Sequence, residues 1–167
     1  KPRMAVPKLG ADLLERSTRV IDLSIEIYEG MPLWPGHQLP YMFVNQDHEG
    51  FKRRWGGDIG FEAHNWLLSE HTGTHTDAVI EYDPDGAHID EMPLEFFYGD
   101  AICIDVSQTR HPDWFTPEVL EAALAASGQE IRRGDIVCLY TGTGERLYPD
   151  PEYIKTYPGL SREGAVW

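Results

Sequence analysis

Apolar and polar residues alternate through positions 19–27 (RVIDLSIEI), the period of a strand with one buried face. Gly30, Pro32, Pro35 and Gly36 then force a loop that carries Met31 and Trp34. Residues 41–44 are a second strand candidate, residues 48–60 read as a mobile loop rich in glycine and charge, and residues 61–69 as a strand with Trp66 in the core. Asp83-Pro84-Asp85-Gly86 is a turn. The nearly continuous apolar runs at 101–106 (AICIDV) and 136–140 (IVCLY) predict buried strands. Between them Thr116 and Pro117 have the form of an N-cap followed by proline at the first helical position, and Gly128 suits the C-cap. Ser161 and Glu163 open a last helix. Strands interleaved with one strong helix predict a single mixed α/β domain over residues 1–167.

Composition narrows the function classes. The chain of 167 residues is 41% hydrophobic and 25% charged, which suits a globular domain. Its 14 basic and 28 acidic residues give a net charge of −14. Such a surface repels phosphate backbones, so no nucleic-acid partner is expected. No apolar run approaches the ~20 residues of a membrane span, and no membrane association or secretory leader is expected. Cys103 and Cys138 lie inside the two apolar runs, without a CxxC pair. Buried free thiols are expected, which fits a cytoplasmic location.

The chemistry concentrates at positions 70–82, EHTGTHTDAVIEY. Two imidazoles and one carboxylate, His71, His75 and Asp77, suit a divalent ion of the zinc or manganese class. Three protein ligands with open positions mark a catalytic site more than a structural one. On a straight strand residues 71 and 75 would lie ~13 Å apart, too far for bonds of ~2 Å to one ion. A helix is disfavoured by Gly73 between two threonines. The chain must therefore turn near Gly73, where the missing Cβ permits it, and Thr72, Thr74 and Thr76 can hydrogen-bond the irregular backbone.

This segment resembles the signature of the cyclase family of metal-dependent hydrolases, which includes kynurenine formamidases and isatin hydrolases. That signature reads His-x-Gly-Thr-His-x-Asp-x-Pro-x-His, matched here through His71, Gly73, Thr74, His75 and Asp77. The likeness extends to Ile21-Asp22-Leu23-Ser24, Gly30-Met31-Pro32, Trp34-Pro35-Gly36, Gly134-Asp135, Thr141-Gly142 and Pro158-Gly159-Leu160-Ser161. It implies a fold of the swivelling β/β/α-like type, one or two zinc or manganese ions, and a homo-oligomer, dimer or tetramer. It also implies hydrolysis of a small-molecule amide, with N-formylkynurenine as the family's best-known substrate. A cyclic amide or lactone is the second substrate class, and a non-catalytic metal-binding module the reading from outside enzymology.

Two features depart from the pattern. Val79 stands where the family has proline, and Glu81 where it has a proton-shuttling histidine. A glutamate can perform general acid–base work beside a metal-activated water, so Glu81 is the candidate shuttle and His88 its rival. Family members also continue past Pro-Gly-Leu-Ser and add a His and a Glu to the metal centre, so the domain is expected to lack its C-terminal part. Trp34 is the candidate for stacking on an aromatic substrate. His64 is expected to be structural, and His37, His48 and His111 have no partner pattern.

Overall fold

A computed structural model describes residues 19–167. Strand β1 (Tyr41–Gln46) pairs antiparallel with β2 (Ala63–Leu67), with Tyr41 opposite Leu67 and Val44 opposite His64, and the register slips between Val44 and Gln46. Strand β3 (Ala101–Asp105) pairs in parallel with β4 (Ile136–Tyr140), Ala101 opposite Ile136 and Asp105 opposite Tyr140. The predicted mixed α/β architecture is present as these two small sheets with helices between and after them.

The helix that joins β3 to β4 forms for the reasons visible in its sequence. Thr116 takes extended backbone angles, Pro117 starts the helix, and Gly128 ends it in the left-handed region at φ 66°. Its apolar positions fall at helical spacing, so Val119, Leu120, Ala123 and Leu124 share one face. They pack with Ile104, Val106 and Phe115 into the core, where Ile104 and Leu120 are almost fully enclosed. This helix, residues Pro117–Ser127, is numbered α2 here, after α1 (His48–Trp55) and before α3 (Thr143–Leu147) and α4 (Arg162–Val166). The segment before α4 returns to the core edge: Phe115 N–H donates to Gly159 O, and Ser161 N–H to Phe115 O. Ser161 then caps α4 by accepting from Gly164 N–H at 2.9 Å.

Four expectations from the sequence are corrected. Residues 19–27 form no strand. The backbone of Ile25 donates instead to Thr74 Oγ1 at 2.9 Å, so this segment is tied to the histidine-bearing loop and not to a sheet. Residues 48–55 are not a loop but helix α1, because Asp47 accepts from Gly50 N–H at 2.7 Å and Phe51 and Trp55 stack along one side. Trp66 is exposed, since among the described residues β1 and β2 have only each other as sheet neighbours. The runs at β3 and β4 are buried on one face only, and Cys103 and Cys138, paired in register on the other face, are exposed free thiols. No helix among the described residues is long and apolar enough to cross a membrane.

Candidate metal and active site

The site lies on the chain that leaves β2. Thr72 N–H bonds back to Ser69 O at 3.1 Å, and the turn completes at Gly73, whose φ is +68°. An L side chain resists that angle, so the turn expected from the ligand spacing falls where the glycine permits it. Thr72 is buried beneath the turn, and Thr74 Oγ1 anchors it to Ile25. Residues 75–77 carry no regular structure, and Ala78 takes extended backbone angles just before the short 3-10 helix Val79–Glu81.

This path brings three donor atoms together. His71 Nδ1 lies 3.2 Å from His75 Nε2 and 3.4 Å from Asp77 Oδ1, and His75 Nε2 lies 3.1 Å from Asp77 Oδ1. Atoms bonded at ~2.1 Å to one centre at tetrahedral or octahedral angles stand ~3.0–3.4 Å apart, so the donor set fits a divalent ion without rearrangement. His75 Nδ1 donates to Gly73 O at 2.8 Å, which leaves Nε2 with its lone pair for the site. Among the described residues His71, His75 and Asp77 are the cluster able to hold a metal.

The other candidates separate. Glu81 reaches the cluster, with Oε2 3.5 Å from His71 Nε2 and Oε1 accepting from Ala78 N–H at 3.3 Å. His88 lines a smaller recess behind the site, shared with His75 and Glu81, and its backbone N–H is taken by Glu91. His64 stays on β2, 3.9 Å from Glu62, outside the cluster. Trp34 stands over a cavity of about 570 Å³ that opens on His71, His75 and Asp77, and meets Tyr157 edge to face at 6.4 Å. Tyr82 completes that wall. Tyr148 lines a neighbouring cavity together with His71 and Gly73, and burial raises the pKa of its hydroxyl, which stays neutral.

Sequence reasoning missed His37 and Tyr157. His37 packs its ring edge-on against His71, with centroids 4.6 Å apart, and Ser69 Oγ lies 3.1 Å from its Nδ1. The one signal for His37 was its place directly after Trp34-Pro35-Gly36, the loop that also carries Trp34 to the site. Tyr157 arrives from a segment with no metal-binding pattern.

The model of the putative cyclase family matches residues 21–167. The chain belongs to the cyclase family. Kynurenine formamidase from Erythrobacter litoralis (strain HTCC2594) is 33% identical over 90 residues, 52% of this chain and 37% of that protein. Kynurenine formamidase from Paracidovorax citrulli (strain AAC00-1) is 34% identical over 82 residues, 47% of this chain and 33% of that protein. Isatin hydrolase A from Ralstonia solanacearum superposes with a TM-score of 0.73 at 22% identity, covering 100% of this chain and 69% of that one. Isatin hydrolase A from Labrenzia aggregata, bound to benzyl benzoate, gives 0.63 at 25% identity, covering 84% of this chain and 57% of that one. The cyclase fold predicted from the resemblance is thereby established, and the matches span about a third of the kynurenine formamidases' own length.

Proposed function

We propose that this cyclase-family chain is the metal-binding part of a hydrolase acting on the amide bond of a small aromatic molecule, an arylformamide of the N-formylkynurenine kind first. The observation that carries the reading is the convergence of His71 Nδ1, His75 Nε2 and Asp77 Oδ1 within 3.4 Å of one another. His71, His75 and Asp77 would hold a zinc- or manganese-class ion, which would supply Lewis-acid polarisation of a carbonyl and lower the pKa of water. Asp77 would contribute the negative charge that favours a dication in an otherwise imidazole site. Glu81, on the rim of the same cavity, takes the proton of the attacking water and returns it to the leaving nitrogen. Trp34, Tyr157 and Tyr82 offer aromatic faces and edges to a planar ring.

The experiment is turnover of an aryl formamide by the metal-loaded chain, alone and extended past Trp167. Release of formate in either form supports the reading. The name of the isatin hydrolase from Labrenzia aggregata favours a second substrate class, cyclic amides, and ring opening of an isatin-like cyclic amide without formamide cleavage would select it. Tight metal binding with no hydrolysis of any formamide, cyclic amide or lactone by either form would remove both. An assembly of two or four copies belongs to the same proposal. Sedimentation showing only monomer at all concentrations would remove that part.

A further inference from the structure

The geometry points to a second metal site, formed by Cys103 and Cys138, that takes a soft two-coordinate ion of the copper(I) class between two thiolates. It is independent of the cluster of His71, His75 and Asp77. Cys103 on β3 and Cys138 on β4 stand opposite each other in the parallel ladder. Partners in such a ladder send their side chains to the same face of the sheet. Here that face is turned away from α2, because Ile104, the next residue on β3, is buried in the core with Leu120. Both thiols are free and exposed. One bridging ligand therefore reaches both from the same side.

The spacing of the strands selects the ligand. Neighbouring strands lie ~4.7–4.9 Å apart, and side chains that leave the sheet side by side keep their Cβ atoms near that separation. A disulfide holds its Cβ atoms ~3.5–4.5 Å apart, so an S–S bond would strain the ladder. Two thiolates on opposite sides of one ion, each at ~2.3 Å, stand ~4.6 Å apart, close to the strand spacing. Ligand number gives the same answer. Structural zinc completes a tetrahedron of four ligands, and among the described residues no third histidine, cysteine or carboxylate joins this pair. Copper(I) is selected by thiolates and is satisfied by two of them in a line. Charge favours a cation as well. Asp105 follows two residues after Cys103, on the same face and opposite Tyr140, whose hydroxyl donates to Glu145 Oε2 at 2.7 Å. These two carboxylates, in a chain of net charge −14, attract a cation and repel the anionic disulfides that oxidise thiols.

The test is anaerobic titration of the reduced chain with copper(I), in the presence of zinc and in competition with bicinchoninate, a coloured chelator of copper(I). One ion per monomeric chain is expected, with thiolate-to-copper absorption in the ultraviolet. Cys103→Ser and Cys138→Ser should each weaken binding by at least ~10²-fold, because presenting two ligands on one scaffold is worth ~10²–10⁴-fold. His75→Ala should bind copper(I) as the parent does. Both cysteine substitutions fall at exposed positions, and circular dichroism and melting check that each variant folds. A measurement on the parent needs no variant: one equivalent of copper(I) should block alkylation of both thiols by iodoacetamide. Protection of only one thiol, two ions per parent chain, or one ion shared between two chains in sedimentation overturns the proposal. So does parent-like affinity in either serine variant, or loss of copper(I) binding in His75→Ala.

Discussion

Gly73 packs so closely against Ile27 that a Cβ added to it would lie 3.0 Å from Ile27 Cγ1. The turn between the two histidines is thus held twice, by a backbone angle of +68° and by the absence of a side chain. Gly73→Ala should destabilise the chain by about 1–2 kcal/mol for the left-handed angle alone, with a further loss for the contact. It should also weaken zinc binding, because the rotation that brings His71 to His75 is strained. Thermal melting and a zinc titration check both, and a variant equal to the parent in each would show that the turn does not set the site.

Removing a ligand should empty the site. His75→Ala and Asp77→Ala are expected to lose bound metal in elemental analysis after dialysis, whereas Thr76→Ala, whose side chain is outside the donor set, should keep it. Retention of parent metal content by both ligand variants would sink the assignment.

Proton transfer makes a separate demand on Glu81. Glu81→Gln keeps the size and the hydrogen-bond acceptor but cannot take up a proton, so turnover by the active form should fall ~10²–10⁴-fold at saturating metal. Metal content under those conditions should stay at the parent level. If turnover is unchanged, His88→Ala is the next variant, since His88 shares a recess with Glu81 and His75.

Gly164 tests the packing that fixes the chain's last turn. A Cβ at this position would collide with the carbonyl oxygen of Phe115, one of the core residues. Backbone cannot move aside as a flexible side chain can, so Gly164→Ala should cost at least the ~1–3 kcal/mol typical of overpacking. A melting temperature within a degree of the parent's would contradict the close approach of α4 to that strand of backbone.

How far the sequence could be read follows from how local each determinant is. The α2 helix was legible because its start, stop and apolar face are all written in residues 116–128. The donor cluster was legible because the ligand types and the glycine sit within one short segment, and a distance argument alone required the bend. Helix α1 was not legible: Gly50 and three basic residues obscure it, and it depends on an Asp47 cap that is easily taken for a loop residue. The alternation at 19–27 misled because its partner is a loop, Thr74 in particular, and not a strand. Burial of Cys103 and Cys138 was misjudged because an apolar run cannot say whether one face of a sheet is covered or both. His37 and Tyr157 escaped because only the tertiary path brings them to the cavity.

The donor atoms all come from residues 71–77, so the ring of chain that an ion would close is very small. Loop-closure entropy rises with the length enclosed, so chelation here demands little ordering of distant chain. Ion capture at this cluster would therefore be set mainly by the shape of one turn. Amide-hydrogen exchange should register metal as protection confined to that turn and to the Ile25–Thr74 tether, with the α2 core exchanging as before. A donor set organised this way could be loaded early, before the more distant parts of the fold have formed.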